Sequence, residues 1–121
     1  MKITTFDPII VTSKSEDIVK LFEELGFEQR HHNKEVEDRP SVRMKNESGF
    51  HLDVVQNDDA AQDYMVIRIN VDNFDEAHDL LASHGFKDGA RILDVKTAKS
   101  MGMISPSGFI IGLVEHKKDH E

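Results

Sequence analysis

The sequence predicts an α+β fold built from two copies of one βαβββ module. Two observations carry this prediction. Residues 48–55 have a counterpart 59 positions later at residues 107–114, with Ser48-Gly49-Phe50 matching Ser107-Gly108-Phe109. In each half, a strand-like segment runs directly into an amphipathic helix, and three further strand-like segments follow. A fixed period of this kind is typical of one structural unit used twice in a chain.

The first predicted module covers residues 1–59. Residues 3–11 are rich in β-branched side chains, which favour a strand. Ser13 and Glu16 then form a capping-box pattern, in which two side chains pair with backbone amides at the start of a helix. The next apolar residues recur at helical spacing up to Gly26, where the helix is predicted to end. Strands are predicted at residues 28–34, 41–45 and 50–56.

The second predicted module covers residues 60–121 and follows a polar linker at 57–63. Apolar residues alternate with more polar ones over residues 65–71, which predicts a strand with two different faces. Asn73 and Glu76 repeat the capping-box pattern before a second helix that ends near Gly85. Strands are predicted at residues 91–96, 101–105 and 109–115. Met101 and Met103 either line a binding cavity or pack under this helix.

Length and composition limit the class of protein. A chain of 121 residues fits one domain, predicted to span residues 1–121, so the two modules are expected to share a core. A net charge of −8 argues against a nucleic-acid partner, because phosphate backbones require clustered Lys and Arg. The absence of cysteine excludes a disulfide framework and a thiolate metal site. The first residues have no apolar run of signal-peptide or membrane-spanning length, so we expect a soluble cytoplasmic protein without a membrane partner.

The ends of the modules carry a resemblance to a known family. The first helix ends in Leu25-Gly26-Phe27, and the last strand follows the pattern Pro106-x-Gly108 to Leu113-x-Glu115. Together with the paired βαβββ order, these features resemble the vicinal oxygen chelate superfamily, which includes glyoxalase I, bleomycin-resistance proteins and extradiol dioxygenases. The resemblance implies that eight strands form one cup-shaped mixed β-sheet, with the helices outside and a ligand inside. Fold alone does not specify which chemistry such a site performs.

The same resemblance bears on metal binding. Catalytic members of the superfamily usually hold a divalent metal with side chains from the first and last strands of each module. Counted from the helix starts, the matching positions here are Phe6, Asp53, Val66 and Gly112, of which only Asp53 can bind a metal. Asp7 is one residue away, and strand alternation is expected to turn it toward the helix layer. We therefore expect no metal and no other cofactor.

Alternation along the strands predicts which polar residues face the cup. The predicted ligand-binding residues are Arg43, His51, Asp53, Tyr64 and Arg68. Arginine pairs well with carboxylates and phosphates, so the predicted ligand is a small anion-bearing molecule. His51 beside Asp53 is the candidate catalytic pair, with His51 as general base. The plain alternative is that these are solvent-facing residues, or an Arg–Asp pair that satisfies itself.

The function predicted from these observations is that of a glyoxalase/bleomycin-resistance-like small-molecule-binding protein, metal-independent and non-catalytic. The alternative is an enzyme: a metal-dependent lyase or dioxygenase of the same superfamily, or a metal-free catalyst that uses His51. A third class is a structural or partner-binding module. We also expect a homodimer, because the open edges of a strand-built cup are normally covered.

Overall fold

The computed structural model describes residues 1–32, 41–89 and 98–116, with two compact units. The N-terminal unit is Asp7–Met65, and the C-terminal unit is Val66–Glu121 together with Met1–Phe6. Each unit combines one α-helix with a mixed β-sheet, so the predicted α+β class is confirmed. The elements in chain order are β1 (Ile3–Thr12), α1 (Ser15–Glu24), β2 (Glu28–His32), β3 (Ser41–Lys45), β4 (His51–Gln56), β5 (Tyr64–Val71), α2 (Phe74–Ser83), β6 (Lys87–Asp88), β7 (Ala98–Ile104) and β8 (Ile110–His116).

The predicted boundaries have different outcomes. The strand at 41–45 is confirmed to the residue, and the strands before and after the second helix lie within about one to three residues of their predicted ends. The strand predicted at 91–96 lies outside the described residues. The limits predicted for the two modules, 1–59 and 60–121, remain predictions. Neither α1 nor α2, the two helices of the described part of the chain, is long and apolar enough to cross a membrane.

In the N-terminal unit, the strand order is β2-β3-β4-β1. Strands β1 and β4 run parallel, whereas β3 is antiparallel to both β2 and β4. One face of this sheet packs against α1, because Val19 of the helix lies in a core with Met44, Leu52 and Val54. The residues between these core positions on the same strands project to the opposite face.

In the C-terminal unit, the strand order is β5-β8-β7-β6, with β5 and β8 parallel. Ala77 of α2 packs in a core with Ile69, Met103 and Leu113, and Met101 packs against the same core. The two methionines therefore pack on the helix side of this sheet, which decides between the two placements open from the sequence. The start of β1 lies beside β5 in this unit, since the Thr4 hydroxyl donates to the carbonyl of Asn70 at 3.2 Å.

The two helices begin differently. Asn73 caps α2 as predicted, because its side-chain oxygen accepts a hydrogen bond from the Glu76 amide at 3.0 Å. The prediction that Ser13 caps α1 is wrong, since the N-cap is Lys14. The amide that follows it is satisfied from β4 instead: the amide of Ser15 donates to Oε1 of Gln56 at 2.9 Å. A side chain from an adjacent strand thus replaces the local cap.

Candidate functional site

Strand register in the N-terminal unit collects four polar side chains on one face of the sheet. Asp53 of β4 pairs directly with Ile9 of β1 and with Arg43 of β3. Directly paired residues project to the same face, and so do residues two positions apart. Asp7 and His51, which precede Ile9 and Asp53 by two residues, therefore share this face, which lies away from α1.

The four side chains form a hydrogen-bonded cluster, which we call the polar cluster: Asp7, Arg43, His51 and Asp53. Arg43 binds Asp53 through two contacts of 2.9 Å, from Nε to Oδ1 and from Nη2 to Oδ2. Nη2 of Arg43 also donates to Oδ2 of Asp7 at 3.1 Å. The other oxygen of Asp7, Oδ1, lies 2.9 Å from Nδ1 of His51. The guanidinium thus bridges two carboxylates, and the imidazole extends the network.

Burial makes these contacts strong. Asp7 and Asp53 are fully buried, whereas the side chains of Arg43 and His51 are 31% and 30% exposed. The hydrogen bond with Asp53 raises the pKa of Arg43, burial opposes this shift, and the charges of Asp53 and Asp7 add to it. The guanidinium therefore stays charged, and one cation faces two carboxylates.

Asp7 is the member of the cluster that sequence reasoning missed. Phe6 was the predicted cup-facing residue, but its side chain is 59% exposed, while Asp7 hydrogen-bonds to Arg43 and His51. The assignment of Asp7 to the helix layer is therefore wrong. The reason is the cap of α1: it is Lys14 and not Ser13, so counting back from Ser13 shifts β1 by one residue. The period of 59 relates Asp7 to Val66 and would have identified it.

The candidate catalytic pair also changes. His51 is hydrogen-bonded to Asp7, and the carboxylate of Asp53 is bound by Arg43 in a bidentate contact. Arg43 pairs with Asp53 in the structure, as the alternative interpretation of this residue expects. Tyr64 is the first residue of β5, and 37% of it is exposed.

Arg68 occupies a different environment in the C-terminal unit. Its neighbours on β5, Ile67 and Ile69, take part in the core beside α2, so Arg68 projects to the opposite face. Arg68 pairs with Gly112 of β8, and Gly112 pairs with Gly102 of β7. The positions in this row on β8 and β7 therefore have no side chain that could accept a hydrogen bond.

The guanidinium of Arg68 is buried and incompletely bonded. The residue is 8% exposed, and its Nε lies 3.5 Å from Oδ1 of Asn70, a distance at the outer limit of a hydrogen bond. Its Nη1 is buried and has no hydrogen-bond partner within residues 1–32, 41–89 and 98–116. A buried donor of this kind favours a ligand that brings an acceptor.

The residues at the superfamily's metal positions do not fit a divalent metal. In the N-terminal unit these positions hold Asp7 and Asp53, whose carboxylates are bound by Arg43. In the C-terminal unit they hold Val66 and Gly112, which have no side-chain donor. A catalytic metal site normally needs about three protein ligands and an open position. Across the described residues, no group of three or more His, Asp or Glu is arranged to hold a metal.

Solved structures with the same arrangement of strands and helices identify the fold. A glyoxalase/bleomycin resistance protein/dioxygenase superfamily member from Vibrio splendidus 12B01 matches with a TM-score of 0.63 and 11% identity, covering 94% of this chain and 99% of that chain. Methylmalonyl-CoA epimerase from Mycobacterium tuberculosis matches with a TM-score of 0.62 and 14% identity, covering 98% and 91%. The chain has the vicinal oxygen chelate fold.

A glyoxalase I mutant from Zea mays shows the same likeness at a TM-score of 0.71 and 11% identity. The match covers 94% of this chain but only 43% of that protein. No protein-family model matches the sequence, and no curated protein matches it. At identities this low the likeness extends to the fold, and the activity has to be argued from the side chains.

Proposed function

We propose that the protein is a metal-independent small-molecule-binding protein that takes an anionic ligand through Arg68. The observation that carries this proposal is the buried Nη1 of Arg68, which lacks a partner in the described part of the chain. Burying a charged group without a compensating contact is unfavourable, so an arginine in this position favours occupation by an anion. Carboxylates and phosphates fit best, because their paired oxygens match the geometry of a guanidinium.

Arg43 does not serve as the anion site in this proposal. Its Nε and Nη2 already donate to carboxylates that are fully buried and supply the negative charge. An incoming anion would have to displace Asp7 or Asp53 from the guanidinium. Arg68, whose described contact with Asn70 is long, has no such competitor among the described residues.

Metal independence rests on the polar cluster. Arg43 binds both carboxylates that could ligate, and the counterparts of Asp7 and Asp53 are Val66 and Gly112. Protein purified without a histidine tag should contain less than one tightly bound transition metal per chain. A stoichiometric Zn, Ni, Mn or Fe that is lost on Asp53→Ala would overturn this part of the proposal and favour a metal-dependent lyase or dioxygenase.

A thermal-shift titration tests the anion site. Acetate, benzoate, inorganic phosphate and phenyl phosphate are titrated against wild type, Arg68→Ala and Arg30→Ala. Arg30 lies on β2 with an exposed side chain, so its substitution removes the same charge without touching the candidate site. We expect at least one anion to bind wild type and Arg30→Ala equally, and Arg68→Ala about ten- to a hundredfold more weakly. Equal binding to all three proteins would contradict the proposal.

We extend the proposal to a cytoplasmic homodimer. Strand β2 ends the strand order of the N-terminal unit, and β6 ends that of the C-terminal unit. End strands present unpaired backbone groups that proteins normally cover or block. Light scattering across micromolar concentrations should report twice the chain mass of 13.8 kDa. A constant monomer mass over that range would exclude the dimer and leave the anion site unaffected.

A further inference from the structure

The polar cluster is not required by the fold that contains it. Each of its residues has a counterpart 59 positions later: Asp7 corresponds to Val66, Arg43 to Gly102, His51 to Ile110 and Asp53 to Gly112. The C-terminal unit nevertheless forms the same parallel and antiparallel strand pairs with these uncharged residues. The same architecture therefore forms without ionisable groups at these four positions.

A buried ionic network is also a poor way to stabilise a sheet. Taking carboxylates out of water carries a desolvation cost that ion pairing repays only when the geometry is excellent. Well-packed apolar residues usually serve stability as well or better. The network is therefore more readily explained by chemistry than by folding, and its partly exposed members are the guanidinium of Arg43 and the imidazole of His51.

We propose that His51 is a general base whose Nε2 accepts a proton from a bound molecule, and that Asp7 is the residue that positions it. Asp7 accepts a hydrogen bond from Arg43, and a carboxylate paired with arginine acts as an acceptor only. Its 2.9 Å contact with Nδ1 therefore places the imidazole proton on Nδ1. The lone pair of the neutral ring is then on Nε2, and the side chain is partly open to solvent.

Charged side chains lie around His51 on three strands. Asp7 of β1 is hydrogen-bonded to the ring, and Arg43 of β3 connects Asp7 to Asp53 of β4. Lys45 of β3 is directly paired with His51, but it is exposed, so solvent screens its opposing charge. Asp7 thus both orients the ring and stabilises it after proton transfer, without taking the proton itself.

This inference does not depend on Arg68, so the two proposals can fail separately. The probe is 5-nitrobenzisoxazole, a neutral flat molecule that reports proton abstraction from carbon. The proton on C3 moves to Nε2 of His51, and the electron pair of the C–H bond becomes the new C–N π bond of a nitrile. The N–O bond breaks, and its electron pair leaves on the phenolate oxygen, which is followed by absorbance.

We expect wild type to exceed free imidazole at equal concentration, and His51→Gln to lower the rate constant about a hundredfold. His84→Ala, which removes an exposed histidine beyond α2, should keep the wild-type rate. Asp7→Asn should lower the rate, because the ring loses the carboxylate that orients it. Circular dichroism of each variant confirms that it is folded.

Nitrogen NMR of wild type tests the proposal without catalysis, because it shows which ring nitrogen of His51 carries the proton. The neutral ring of His51 should carry its proton on Nδ1, and Asp7→Asn should weaken this preference. The proposal is overturned if wild type is no faster than free imidazole, if His51→Gln retains the rate, or if the neutral ring carries its proton on Nε2.

Discussion

Arg43 and Arg68 lie on different strands of the two units, on the same kind of sheet face, and their guanidinium groups have different surroundings. Both project from a strand to the sheet face away from the helix. Arg43 is paired across its strands with Asp53 and donates to Asp7, so its guanidinium has two carboxylate partners. Arg68 is paired with Gly112, and Gly102 follows in the same row, so the positions beside it on β8 and β7 offer no side-chain acceptor.

The comparison shows that the role of a strand arginine is decided by its cross-strand neighbours. The residues next to Arg43 along its own strand are apolar, and so are those next to Arg68. The local sequence therefore predicts the same role for both arginines, a cation that faces solvent or a ligand. Adjacent strands give Arg43 two carboxylate partners, whereas Arg68 has a buried donor without a partner in the described part of the chain.

The largest expected effect is that of Arg43→Met on stability. The substitution removes the guanidinium that binds the buried side chains of Asp7 and Asp53, and breaking a buried charge network in this way costs about 3–5 kcal/mol. Urea unfolding followed by circular dichroism measures the loss. The triple variant Asp7→Val, Arg43→Met, Asp53→Val removes all three charges and should recover most of the free energy of unfolding. A triple variant less stable than Arg43→Met would contradict this account.

The matching substitution in the other unit, Arg68→Met, should change stability in the opposite direction. Methionine retains an apolar stem and removes a buried donor that lacks a described partner. Because an unsatisfied buried donor costs about 1–3 kcal/mol, we expect the free energy of unfolding to rise by about 1 kcal/mol in anion-free buffer. Destabilisation as large as that of Arg43→Met would show that Arg68 is held by a strong internal partner.

The N-termini of α1 and α2 also differ, and substitutions there should have smaller effects on stability. Asn73→Ala should lower the free energy of unfolding by about 1 kcal/mol, because it removes the side-chain acceptor of the Glu76 amide. Ser13→Ala should cost less than about 0.5 kcal/mol, since the cap of α1 is not Ser13. Gln56→Ala, which removes the acceptor of the Ser15 amide, is the matched positive control. Equal costs for Asn73→Ala and Ser13→Ala would disprove this difference.

The smallest expected effect is that of mildly alkaline pH on the Arg43 network. The pKa of Arg43 is raised in the folded protein, so its stabilising contribution is present below the ordinary arginine pKa. It is lost only as pH rises through the raised value. The stability difference between wild type and Arg43→Met should therefore stay constant within about 0.5 kcal/mol from about pH 7 to about pH 9. A stability difference that shrinks between about pH 7 and about pH 9 would show that the pKa of Arg43 is not raised in the folded protein.

The amino-acid sequence by itself determined the class and much of the element order of this protein. The 59-residue repeat and the helical spacing of apolar residues predicted two helices and most strands. These signals are local or periodic, so they survive without tertiary contacts. Alternation likewise placed Arg43 and Arg68 opposite the helix-facing core.

Tertiary structure alone decided which polar residues meet. Asp7 reaches Arg43 across 36 residues of sequence, and His51 reaches Asp7 across 44. Such contacts depend on strand register, and a shift of one residue turns every side chain to the other face, which is how Phe6 was mistaken for Asp7. The replacement of a local cap by Gln56 has the same origin, because its amide oxygen comes from a strand 41 residues away. Residue propensities and apolar spacing predict the helix or strand that a segment forms. The pairing of distant strands decides which side chains contact each other.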